Sequence, residues 1–382
     1  MIKVTSPDLM KINNKKQILE IIYSEKNIYR AQICEMTNMS NQTITNLVKE
    51  LLNEGIVKEV TLENKSKGRN PMALSIDNEN ICAVGVEISV EKISVGLFDV
   101  DGNMLNDKSH IRHNDTENVL DIVKELLEQV ISNALTKKIL GIGISIEGIV
   151  DSLSGKVIKS KSLGLDGINI LSELEYLGIP VLIKNDVDML AETDYGKELL
   201  NNYMLIKLDS GIGAALVLDG SLLKSSHTVG EFGHVKIHSI KAPKQCKCGQ
   251  CGCLTTEASI SAIEKKTDLS FESFVEQYKL GDSNIRNIIE NVSRYICEPL
   301  INIITLLDLE RVILTGKLVN ALGDEFIDSI KEYIDKSLNS FSSYKGLKVL
   351  NDVNVINRCA SYVVYDYFLN WKENQGNFPT KI

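Results

Sequence analysis

The sequence predicts an α/β protein in two parts, a winged helix-turn-helix followed by a two-lobed body. Three observations carry this. Within residues 1–76, three stretches with apolar side chains at helical spacing precede two strand-like runs around a basic tip. From residue 77 onward, apolar strand runs alternate with helical stretches, the pattern of α/β architecture. The charge divides at the same place: the whole chain is −9 at pH 7, yet residues 1–76 carry +3 and the remainder −12. Only the first segment suits a phosphate backbone. Three segments follow: 1–76, a first lobe at 77–188, and a second lobe at 189–382 whose C-terminal helix is expected to return to the first.

The first helix is expected from about Asn13 to Ser24, where Ile18, Leu19, Ile21 and Ile22 form an apolar face. A second short helix runs from Arg30 to Thr37, and Asn38-Met39 turns the chain. Ser40 is a good N-cap for a third helix, whose Ile44, Leu47, Val48, Leu51 and Leu52 make one buried stripe. Its opposite face shows Asn41, Gln42, Thr43, Thr45, Asn46 and Lys49, amide and hydroxyl groups suited to base edges in a major groove. Gly55 ends the helix. Strands at Ile56–Val60 and Pro71–Ile76 then flank a tip with Lys65, Lys67 and Arg69, the wing candidates for phosphate or minor-groove contact. These segments, from Arg30-Ala31 through Ser40-Asn41-Gln42-Thr43 to Gly68-Arg69-Asn70-Pro71, resemble the DNA-binding module of the ROK family of repressors and kinases, in its xylose-repressor-like branch.

In the body, strands are expected at Ile81–Ile88, Ile93–Val100, Ile139–Ile146, Val181–Asp186, Tyr203–Lys207 and Ala214–Leu218, with a helix at Val119–Leu135. The strand ending in Asn185-Asp186 at a helix start puts an amide and a carboxylate at the carboxyl end of a sheet, where α/β proteins bind ligands. A plain alternative is that Asp186 caps the helix. The segment Gly141 to Asp151, with Gly148, and the run Gly230-Glu231-Phe232-Gly233-His234 are similar to ROK motifs. The resemblance spans the chain and implies a two-lobed, actin-like ROK sugar-kinase fold, with Gly148, Asn185, Asp186, Glu231 and His234 facing a sugar between the lobes. Glu147 stands where the family usually has proline.

Of eight cysteines, Cys246, Cys248, Cys251 and Cys253 crowd into one short stretch after His234. This clustering points to zinc, which needs four tetrahedral ligands. Spacing alone leaves Cys251 as acceptable as its neighbours; the family resemblance selects His234, Cys246, Cys248 and Cys253. That set would close the coordination sphere, so the zinc is expected to be structural. Cys34, Cys82, Cys297 and Cys359 lie in apolar stretches as expected core residues.

ROK kinases surround nucleotide phosphates with glycine turns, and all three corresponding turns are altered here. They read Glu87-Ile88-Ser89-Val90-Glu91, Asp209-Ser210-Gly211 and Thr315-Gly316-Lys317. Added carboxylates disfavour a triphosphate where water is excluded. No enzymatic activity is therefore expected, and Asp186 becomes a vestigial base; an active sugar kinase with an accessory DNA-binding segment is the alternative. The family also places a glutamate two residues after the last zinc cysteine, where this chain has Thr255. Glu257 could replace it only through a shift of register. The expectation is a repressor of carbohydrate genes, binding operator DNA as a homodimer or homotetramer and responding to a sugar. With no long apolar run and no leader pattern, a cytoplasmic location without a membrane partner is expected.

Replacing Arg69 by alanine should weaken DNA binding across all sequences and lower the salt slope by roughly one. Salt-titrated mobility shifts check this, and an unchanged slope would remove Arg69 from the interface.

Overall fold

The computed structural model describes residues 6–61, 72–112, 117–134, 136–194, 201–223, 229–239, 242–338, 342–351 and 353–369. Helix α1 (Ser6–Glu25) starts earlier than the apolar face at Ile18–Ile22, and its Lys11 pairs with Glu50 at 2.8 Å. Helix α2 (Arg30–Thr37) ends at Asn38, whose φ of 56° is the left-handed cap that asparagine tolerates. Helix α3 (Asn41–Asn53) is capped by Ser40, whose hydroxyl accepts the Thr43 N–H at 3.1 Å. Its Ile44, Leu47, Val48 and Leu51 are buried. Strands β1 (Val57–Thr61) and β2 (Met72–Ile76) pair antiparallel from Val57 opposite Ile76 to Thr61 opposite Met72. The tip with Lys65, Lys67 and Arg69 lies outside the described residues.

The chain divides into two compact units, Met1–Lys184 with Val355–Ile382, and Asn185–Asn354. The first unit continues with β3 (Ile81–Ile88), β4 (Lys92–Phe98), β5 (Met104–Ile111), α4 (Val119–Ile131), β6 (Lys138–Ile146), β7 (Ile149–Asp151), β8 (Lys156–Lys159), α5 (Ile170–Leu174) and β9 (Val181–Asn185). Its main sheet has the order β5-β4-β3-β6-β9, antiparallel at β5-β4-β3 and parallel at β3-β6. The second unit holds α6 (Asp186–Asp194), β10 (Tyr203–Leu208), β11 (Ile212–Leu218), β12 (Ser221–Leu222), α7 (Thr255–Ala258), α8 (Ile260–Thr267), α9 (Phe271–Leu280), α10 (Ser283–Leu307), β13 (Arg311–Thr315), α11 (Lys317–Ser337) and β14 (Leu347–Leu350). Its sheet, β12-β11-β10-β13-β14, repeats the plan: an antiparallel meander on one side of β10 and parallel strands on the other.

Helix α12 (Val355–Phe368) belongs to the first unit and lies on β3 and β6. The approach is backbone to backbone: a Cβ at Gly143 would sit 2.2 Å from the Cys359 carbonyl oxygen. The far end of α12 stacks Phe368 on Tyr23 of α1, ring centroids 4.7 Å apart and nearly parallel. One apolar cluster therefore runs from Ile18, Ile33 and Leu51 of the helix-turn-helix through Phe98 and Leu140 of the sheet to Val363 and Phe368. The segment drawn at 1–76 shares this core and is not a compact unit of its own, because its apolar faces are completed by residues far along the chain. The two units part after Lys184, one residue before the end of β9, whereas the sequence had placed the lobe boundary at 188.

Gly143→Ala should force α12 off the sheet and cost about 1–3 kcal/mol, as overpacking does. Denaturant titration measures it; undiminished stability would mean that α12 has room to spare over β6.

Candidate functional site

On α3, Ser40, Asn41, Gln42, Thr45, Asn46 and Lys49 are exposed and Thr43 is half-buried. Their side chains are already ordered. Gln42 Nε2 donates to Asn46 Oδ1 at 3.2 Å, one turn on, and the Thr45 hydroxyl donates to the Asn41 carbonyl at 2.8 Å. Ser40 and Thr43 share a 2.8 Å hydroxyl contact at the cap, so these two shape the helix start. Cys34 departs from its expected place in the core: it is half-buried, and its thiol donates to Asn41 Oδ1 at 3.1 Å. The reason is its position on α2, facing the start of α3. Cys82, Cys297 and Cys359 are buried as expected, and burial raises the first two thiols to about 11 and about 12.

In the second unit, Asn185 and not Asp186 caps α6: its Oδ1 accepts the N–H of Val187 at 2.8 Å and of Asp188 at 3.3 Å. Asp186 instead receives Lys207 Nζ at 2.8 Å, and Asp209 lies 3.7 Å from the same ammonium. All three side chains are largely buried, so the ion pair is a strong local constraint. Sequence reasoning passed over Lys207, although a lysine in the apolar run of β10 was the available signal.

The loop carrying Glu231 and His234 rests on β11. Close approach demands its glycines, since a Cβ at Gly230 would meet the Ala214 carbonyl at 2.1 Å and one at Gly233 the Ile212 carbonyl at 2.4 Å. His234 Nδ1 lies 3.5 Å from Cys246 Sγ, and Cys248 Sγ lies 3.6 Å from Cys253 Sγ. All four donor atoms fall within 4.8 Å of one another, the one such cluster among the described residues. Bonds of zinc length in a tetrahedron imply edges of roughly 3.5–3.8 Å, and these two separations fall in that range, so the set could hold a metal ion. The other ring nitrogen, Nε2, lies 3.5 Å from the Glu231 carboxylate, the kind of outer partner that orients a ligating histidine. Cys251 is exposed and outside the cluster. The Cys248 thiol is lowered below its ordinary range, first by the Gln250 backbone N–H. Burial, then the contact with Cys248, raises Cys253 to about 11. Thr255 opens α7, and Glu257 turns to Lys244 at 3.2 Å.

In the first unit, Gly148 has a φ of 150°, and a Cβ there would meet the Lys159 carbonyl at 2.6 Å. Beside it, Glu147 reaches the turn between β3 and β4, where its Oε2 accepts the Val90 N–H at 3.0 Å.

The ROK family pattern matches residues 83–354, and a winged helix-turn-helix DNA-binding pattern matches residues 13–58. The chain belongs to the ROK family. It is 26% identical to the xylose repressor of Bacillus subtilis over 375 residues, covering 94% of this chain and 96% of that one. It is 22% identical to the Escherichia coli transcriptional dual regulator NagC, with 84% of each chain covered. Among solved structures, a ROK transcriptional regulator homologous to the Escherichia coli MLC protein superposes with a TM-score of 0.79 at 22% identity, over 96% of this chain and 100% of that one. A ROK glucokinase from Streptomyces griseus in complex with glucose and AMPPNP gives 0.61 at 18% identity, over 74% and 98%. This ROK protein is a DNA-binding transcriptional regulator of the xylose-repressor type. Among the described residues, no helix is long and apolar enough to cross a membrane.

The geometry sets a test of the metal ligands. Cys248→Ser should lose bound metal and thermal stability, while Cys251→Ser keeps both. Elemental analysis decides, and metal loss from Cys251→Ser would reassign the ligand set.

Proposed function

We propose that this ROK regulator represses carbohydrate genes from a pseudo-palindromic operator, as a homodimer or homotetramer in the cytoplasm, and that a sugar or sugar derivative alters its grip on DNA. Its body performs no phosphotransfer. The observation that carries this reading is the Lys207 ammonium at 2.8 Å from Asp186. A general base must be available to the proton it takes, and this carboxylate already holds a buried cation. Further support comes from the altered phosphate turns. Val90 offers its N–H to the Glu147 carboxylate, and Glu87 pairs with Lys92 at 3.0 Å, which leaves negative groups where a phosphate would have to sit. Gln42, Asn46 and their neighbours on α3 read the operator bases, and Arg69 grips phosphate from the wing.

Asn185, Asp186, Glu231 and His234 of the second unit hold sugar hydroxyls. A structural zinc on His234, Cys246, Cys248 and Cys253 keeps the Glu231 loop in place. With Thr255 in place of a glutamate, a charged hydrogen bond worth about 1.5–3 kcal/mol gives way to one worth about 1, so glucose-type sugars bind roughly 3- to 30-fold more weakly. The natural effector is then a different sugar or derivative. A coupling of about 1–3 kcal/mol suffices for a 5- to 150-fold change in operator affinity.

The test begins with a thermal-shift panel of sugars, in which a ligand at 100 times its Kd adds about 2.7 kcal/mol. The sugar that stabilises the protein should then change operator affinity in mobility shifts. Calorimetry should find glucose-type sugars binding more tightly to Thr255→Glu than to wild type; equal, tight affinity for both refutes the specificity argument. Steady ATP consumption with any sugar would make the protein a kinase.

A further inference from the structure

Three thiolates and one imidazole around a divalent cation leave a net negative charge at the His234, Cys246, Cys248 and Cys253 centre. Part of that charge sits on Cys253, which is fully buried. Charge removed from water requires a hydrogen-bonding partner of opposite sign. Lys236 offers one. Its Nζ lies 3.4 Å from Cys253 Sγ and donates to the Cys251 carbonyl at 2.7 Å. The backbone holds it there: Lys236 and Cys253 form an antiparallel bridge, with Leu254 N–H donating to the Val235 carbonyl at 2.9 Å and Ile237 N–H to the Gly252 carbonyl at 2.9 Å. The same short ladder therefore places the cation beside the sulfur and joins the histidine segment to the cysteine loop.

We propose that Lys236 is a positioning residue of the metal centre, its ammonium hydrogen-bonding the metal-bound sulfur of Cys253 and offsetting the surplus thiolate charge. This rests on the reading that the four-donor cluster holds zinc. Lys236 touches no metal itself. It acts through Cys253, by donating a hydrogen bond to the sulfur, and through the Cys251 carbonyl, by holding the loop closed. The alternative is an exposed lysine whose stem packs over the loop and whose charge is immaterial.

The experiment uses the full chain loaded with zinc, or with cobalt as a coloured substitute, in wild-type, Lys236→Met and Lys236→Arg forms. Chelator competition should show zinc held about 10- to 100-fold less tightly by Lys236→Met, the usual effect of losing an outer partner. Lys236→Arg keeps the charge and a donor and should stay near wild type. In the cobalt forms, the thiolate-to-metal charge-transfer band should move to lower energy in Lys236→Met, because the sulfur lone pair loses its hydrogen bond, and should return in Lys236→Arg. Equal zinc affinity and an unmoved band in Lys236→Met would overturn the proposal, as would an arginine variant that falls with the methionine one. Failure of wild type to take up zinc or cobalt would remove the metal reading itself, a result separate from either of these.

Discussion

The contact of α12 with the backbone of β3 and β6 is the constraint on which the first unit depends. Glycine at 143 lets the helix carbonyls approach to a distance that no side chain allows, and the helix then reaches α1 through the stack of Phe368 on Tyr23. Its consequence is a single apolar core for the DNA-binding helices and the body sheet. A winged helix tethered by a loose linker would change its DNA affinity only through geometry at long range. One that shares a packed core has a direct physical route, since cores shift between discrete packings and do not deform continuously.

In the second unit, the polar groups at the end of β9 find their partners within the unit. Asn185 spends its side-chain oxygen on capping α6, which leaves Asp186 as the group facing β10, and Lys207 meets it there. The pair is internally satisfied, so the site is stable without a substrate. Glu147 follows the same logic in the first unit, where a carboxylate in place of the family's usual proline finds the Val90 N–H.

The three helices, the β1–β2 pair and strands β3, β4, β6, β9, β10 and β11 were legible because each rests on local pattern, whereas β5, β13 and β14 were not read from it. Ser40 before a four-residue apolar stripe, Asn38 at a helix end and Gly55 after α3 are signals that neighbouring residues carry by themselves. The metal ligands were partly legible. Spacing located the cluster but left Cys251 open, and only the fold turns Cys251 to solvent while bringing His234 within 3.5 Å of Cys246. Lys207 stood out only as a lysine in an apolar run, and Lys236 not at all, since a lysine has no motif and acquires meaning from what lies across from it.

The sequence by itself thus determined the winged helix-turn-helix, the α/β class, the family and the residues that could hold a metal, because periodicity, capping and motif spacing act over a few residues. Tertiary structure alone decided that the DNA-binding segment shares the core of the first unit, that Asn185 takes the helix cap, that Glu257 turns to Lys244, and that Lys207 holds Asp186. Each of those outcomes is a competition between partners brought together by folding, settled by distances that chain order does not contain.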